Sequence, residues 1–368
     1  MKKMISLLIV LMLAALAGCA NPTPQKPGES KQASGSNEGG GDKQITIAGN
    51  GGVIERTVRD VIAPKFKEET GIQVNYISGL SGEILSKVEL QKNAPQIDIA
   101  FFVPVDVQRA MDKGLTETID ETNVANMKKV DSRFVAVDKA AAPAFGLVIA
   151  PGYNTETFKK NDLKPIESWN DLISPDYKGK TAFSDINNDW GFNTLNALAM
   201  ANGGSTDNME PGFEKAKELA GYSSTFYKNS TQMMPAIQQG AADVTVMGSY
   251  AIAELAASGV PIKMAVPKEG VPLQAFSAAL VKNTPREQEA IDFINYLISE
   301  ESQKLIADKG FYPVVDGMKI PEKYEGSIGL KETDKTFKPD FAKFAEIRAE
   351  WSDKWSKEVT PELGKLLK

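Results

Sequence analysis

One stretch of the chain concentrates polar chemistry. Phe183-Ser184-Asp185-Ile186-Asn187-Asn188-Asp189-Trp190-Gly191 brings two carboxylates, two amides and an indole together between a strand pattern and a helix pattern. A carboxylate next to an indole suits an amine, by charge pairing and by attraction of a cation to the ring face. Asp185, Asn188 and Trp190 are therefore candidates for ligand contact. The competing reading is a capped turn with Trp190 tucked into the core. A second loop holds Ser78, Ser81 and Gly82 ahead of a helix. Two hydroxyls at a helix start suit phosphate, phosphonate or carboxylate, although Ser81 could simply cap the helix. A third, Asn50-Gly51-Gly52, offers bare backbone N–H groups or, equally, a tight turn that needs glycine. Phe102 and Pro104 end a strand and could wall a cleft, Tyr250 opens a helix after a strand, and Gln274 and Phe276 are lesser candidates.

The composition narrows the chemistry. The chain has 368 residues, no histidine and one cysteine, Cys19. Without His, Ser-His-Asp and Cys-His catalysis and the commonest neutral metal ligand are all lost. Nucleotide, zinc-protease and hydrolase signatures are absent from the sequence, so catalysis would have to rest on carboxylate, Lys or Tyr chemistry. A secreted, carboxylate-dependent enzyme is the alternative of another class, and no residue is nominated for it. A net charge of -6 argues against nucleic acid as a partner. No cofactor is expected.

The elements that must position these residues alternate. Strand patterns at 44–48, 72–77 and 97–102 are separated by helix patterns at 54–69 and 83–92, and a helix follows at 106–113. The alternation resumes with strands at 145–153, 180–183, 243–247, 262–266 and 275–281 and helices at 168–173, 192–202, 210–220, 250–258, 286–299 and 301–308. Such a rhythm indicates an α/β protein whose ligand loops gather at the carboxyl ends of strands. A last helix at 338–357 places Phe341, Phe344, Ile347, Trp351 and Trp355 along one stripe, the pattern of a face buried against the body.

Ahead of the body, Lys2 and Lys3 precede an apolar run that ends in Leu16-Ala17-Gly18-Cys19. This is the layout of a signal peptide over 1–18, and the ending resembles a lipobox in which Cys19 becomes the lipidated first residue. Residues 19–43, rich in Pro, Gly and Ser, read as a flexible tether. The chain is thus expected to be exported and lipid-anchored on the outer face of a bacterial cell membrane.

Several separated segments, in order, resemble the extracellular solute-binding components of ABC importers, in the group that includes polyamine, ferric-iron and phosphonate binders. They are ITIAGNGGVIERTVRDVIAPKFKEETGIQVNYISG, NAPQIDIAFF with AMDKGLTETID, IESWNDLISPDYKGKTAFSD, and VPKEGVPLQAFSAALVKNTPREQEAIDFINYLISEESQKLIAD. The resemblance implies a two-lobe periplasmic-binding-protein-like fold of type II with the ligand cleft between lobes. It implies lobe one at 44–144 plus 263–335, lobe two at 145–262, and a C-terminal helix within 336–368 packing on the body. It further implies a small-molecule ligand, a membrane permease as partner, closure by a hinge, and action as a monomer. Iron binders of the group use paired tyrosines, and only Tyr250 lies in that region here. The acidic and aromatic residues lean towards a polyamine or related amine, with ferric iron and phosphonate or phosphate esters as alternatives.

Overall fold

Among the described residues, 43–368 of a computed structural model, ten strands form one sheet, eight of them along a single path whose order divides the chain. The path runs β2 (Gln73–Ser78), β1 (Gln44–Gly49), β3 (Ile99–Phe102), β9 (Val271–Leu280), β4 (Ala142–Asn154), β7 (Val244–Gly248), β5 (Thr181–Ser184), β6 (Phe226–Tyr227). Two short strands sit beside it, β8 (Ile262–Met264) on β4 and β10 (Thr336–Phe337) on β9. The signal peptide, Cys19 and the tether as far as residue 42 lie outside the described residues.

Each end of the path is a parallel set. β1 pairs β2 from Gln44↔Gln73 to Gly49↔Ser78 and pairs β3 at Ile47↔Ile99. At the other end β5 lies parallel to both β7 and β6. The middle is antiparallel. β9 pairs β3 (Ile99↔Leu280) and then β4, and β4 changes partner along its length. Its residues up to Val148 pair β9, and Ile149–Tyr153 pair β7. β4 and β9 therefore join two α/β halves. Both are buried along almost their whole length, which is why they read as near-continuous apolar runs.

Helices cover both faces. In the first half these are α1 (Val53–Thr57), α2 (Ala63–Thr70), α3 (Ser81–Leu90) and α4 (Pro104–Asp112). The second half carries α5 (Thr155–Lys160), α6 (Asp189–Ala201), α7 (Glu210–Tyr222), α8 (Ser230–Gln238) and α9 (Ser249–Ala257). After β9 come α10 (Glu287–Leu297), α11 (Glu300–Ala307), α12 (Glu322–Ile328) and α13 (Phe341–Lys354). α5, α8 and α12 have no counterpart in the sequence reading. The helix expected at 54–69 is interrupted by a π turn over Val58–Ile62, just ahead of Pro64. Proline has no N–H to donate and crowds the carbonyl four residues back, so the turn before it widens.

Period-two alternation divides β3 between two cores. Ile99 and Phe101 belong to the large apolar cluster that runs through both halves. Ala100 and Phe102 face a smaller cluster with Ala48, Ile84, Leu85 and Val88 under α3. The C-terminal helix straddles the division. Phe344 and Trp351 pack on Phe192 of α6, at 4.7 Å and 5.0 Å between ring centroids, while the same helix also lies against α4.

Candidate functional site

A cleft of about 570 Å³, counted out to its open mouth, lies where the carboxyl ends of the parallel strands from both halves converge. The first half supplies Asn50 after β1, Leu80, Ser81 and Gly82 after β2, and Val103 and Asp106 after β3. From the second half come Asn187–Trp190 after β5, Asn229 and Ser230 after β6, and Tyr250 after β7. Phe276 of β9 and Arg348 of α13 complete the lining.

The acidic side is built on α6. Asn188 caps that helix, its Oδ1 accepting from the Trp190 N–H at 2.9 Å, so Asp189 and Trp190 form the first turn and the helix begins three residues earlier than its apolar pattern suggests. Gly191 permits this tight entry, since a Cβ there would stand 2.3 Å from the carbonyl oxygen of Asp185. The Asp189 carboxylate accepts from Gln274 Nε2 and, at 3.3 Å, from Asn193 Nδ2. Burial pushes its pKa up to about 6, against the lowering effect of the Gln274 bond and of Arg348, while the Asp106 charge adds to the rise. Asp106, almost fully buried, sits in the first turn of α4 and binds Arg109 at 2.7 Å.

The aromatic side is built on α9. Tyr250 stacks on Phe311 at 4.6 Å and meets Phe276 edge-on at 6.3 Å. Trp190 lies 6.0 Å from Tyr250. Gly248 makes room for both rings, because a Cβ there would come within 2.9 Å of Tyr250 and 3.2 Å of Trp190. Trp190 is thus buried and still lines the cleft.

The other expected residues are placed as follows. Asn50, Ser81, Gly82, Asn188, Trp190 and Tyr250 line the cleft. Ser81 does not cap its own helix. Leu80 holds the cap position, with its N–H bound by Glu83, and the Ser81 hydroxyl accepts from the Val103 N–H at 3.1 Å, tying β3 to α3. Gly51 and Gly52 line a neighbouring cavity with Met234 and Glu254, and Gly52 adopts a φ of 71°, which glycine tolerates without strain. Ser78 is exposed and outside the cleft, and Phe102 faces the smaller core. Asp185 turns into its own loop, accepting from the Asn187 N–H and side-chain amide at 2.9 Å and 2.8 Å. Gln274 lies behind the cleft and holds Asp189. Asp106, Asn229, Ser230 and Arg348 were not singled out by sequence. Asn229 carried a detectable signal, since an Asn before Ser-Thr-Gln reads as a cap, and its Oδ1 does accept from the Gln232 N–H. Arg348 carried a weaker signal, a charged residue whose spacing from Phe344 and Trp351 places it within the apolar stripe.

Among the described residues, no three His, Cys, Asp or Glu side chains come together in a metal-binding group, and no helix is long and apolar enough to cross a membrane. A family model for bacterial extracellular solute-binding proteins matches residues 62–332. The chain is 26% identical over 293 residues to Iron uptake protein A1 of Synechocystis sp., covering 74% of this chain and 76% of that protein. It is 26% identical over 259 residues to the spermidine/putrescine-binding periplasmic protein of Escherichia coli, covering 68% and 72%. Among solved structures, the periplasmic binding protein AfuA from Actinobacillus pleuropneumoniae superposes with a TM-score of 0.72 at 21% identity, covering 87% of this chain and 99% of that one.

Proposed function

This chain belongs to the bacterial extracellular solute-binding protein family, and from that premise we propose that it captures a small amine-bearing solute in the cleft between its halves. It is the substrate-binding component of an ABC importer, delivering its cargo to a membrane permease. The observation that carries the amine reading is Asp189, held by Gln274 and Asn193 beside Trp190 and Tyr250, with Asp106 across the cleft. A desolvated carboxylate flanked by rings attracts an ammonium group and has few other partners in an apolar setting. Relatives named for spermidine and putrescine support that chemistry, although a relative named for iron uptake shares the same ancestry.

The rest of the reading follows from this role. The halves are lobes that close about β4 and β9, the Cys19 lipid holds the body at the outer membrane face, the protein acts as a monomer, and the solute leaves unchanged rather than being turned over. A thermal-shift screen with putrescine, spermidine, simple amines, phosphate and ferric citrate tests the ligand. A ligand bound only by the folded state adds about 2.7 kcal/mol at a hundredfold excess over Kd, enough to raise the melting temperature visibly. Amines are expected to give that rise. A rise with phosphate or ferric salts alone rejects the amine reading.

A further inference from the structure

We infer that the solute is a zwitterion, an amine that also carries a carboxylate or phosphonate, and that Arg348 selects its anionic end. The inference rests on the amine-capture reading of the same cleft and sharpens it. Arg348 enters from the middle of α13, with its guanidinium carbon 5.1 Å from the Phe192 ring centroid and its Nη2 donating to the Asn187 carbonyl at 2.9 Å. Its Nη1 is buried and has no hydrogen-bond partner. Among the described residues, Arg348 makes no ion pair. Arg348 lines the cleft, and a guanidinium not taken up by a carboxylate is the group there that an anionic ligand end would recruit.

Neither carboxylate supplies the missing acceptor. Asp106 is engaged with Arg109, and Asp189 with Gln274 and Asn193. The cleft thus carries two carboxylates and a guanidinium whose charge Asp189 senses without a direct bond. Asn50 also lines the cleft and offers a side-chain amide oxygen as an acceptor. A diamine would bring its second ammonium towards Arg348, and a plain anion would face two carboxylates. A short chain with an amine at one end and an anion at the other meets both demands, and Trp190, Tyr250 and Phe276 cover its methylenes. A guanidinium presents a planar fork that matches carboxylate and phosphonate oxygens.

The test is calorimetric titration of the whole protein with γ-aminobutyrate, an aminoalkylphosphonate, putrescine, butyrate and phosphate. A zwitterion is expected to bind at least tenfold more tightly than putrescine. Arg348→Gln should weaken the zwitterion at least tenfold while leaving putrescine unchanged or tighter, and Arg348→Lys should fall between. Retained putrescine binding shows that the Gln variant is folded; if it is not, the Lys variant carries the comparison. Putrescine binding as tightly as either zwitterion, or an Arg348→Gln variant with undiminished zwitterion affinity, overturns the inference and leaves amine capture standing. Failure of every amine-bearing compound to bind overturns both.

Discussion

At the scale of single residues, Asp189 decides the behaviour of the cleft. Asp189→Asn keeps the shape and removes the charge, so amine affinity should fall roughly tenfold to a hundredfold, the equivalent of a lost charged hydrogen bond; titration calorimetry reads it directly. Its raised pKa sets a pH dependence with a definite sign. The carboxyl is protonated below about 6 in the free protein, whereas an ammonium ligand requires the anion. Affinity should therefore decline as pH is lowered through about 6, and Asp189→Asn should flatten the profile. The same shift disfavours the ligand-free fold as pH rises from the ordinary carboxylate range to about 6, because the unfolded chain releases that proton first. Ligand should offset this loss. The acidic aromatic stretch was legible in the sequence as chemistry, but the division of labour within it was not. Asp185 and Asp189 look alike until the Asn188 cap sends one into its loop and the other into the cleft.

At the scale of elements, strand ends and helix starts were readable because apolar periodicity and glycine stops coincide there. The misses have local causes. α5 and α12 are helices of only six and seven residues, and α8 has a proline inside it, so none shows a sustained period. Positions on a strand's two faces also could not be assigned without its neighbours, which is why Phe102 was expected in the cleft and lies in a core. The start of α6 is the element on which the site depends most. Gly191→Ala should unseat the first turn, since the added carbon meets the Asp185 and Ser184 carbonyls at 2.3 Å and 2.7 Å. A loss of about 1–3 kcal/mol in stability is expected, read by chemical denaturation, with ligand affinity falling alongside.

At the scale of the molecule, the two halves meet across the cleft through contacts that differ in strength. Arg56 of α1 and Glu254 of α9 form an ion pair between halves, and both side chains remain substantially exposed. Such pairs are worth about 0–1 kcal/mol, so Arg56→Ala should shift affinity by no more than a few fold. α13 is a stronger tie, stacked on Phe192 and lying against α4. Phe192→Ala should cost about 3–5 kcal/mol by denaturation and displace Arg348 from its ring. The sequence marked that helix as a buried stripe, and its aromatic residues are buried. It could not show that Arg348, on the same face between Phe344 and Trp351, reaches the cleft, because that depends on where the rest of the chain places the helix.

The pairing of β3 with β9 also governs timing. Ile99 meets its partner only when Leu280 is available, so the first sheet stays unfinished until more than half of the chain has been made. Contacts this distant along a sequence form slowly, since the intervening chain must be gathered first. A polypeptide that must cross a membrane before folding gains from such a delay: its amino-terminal part remains threadable for as long as its partner strand has not yet left the ribosome.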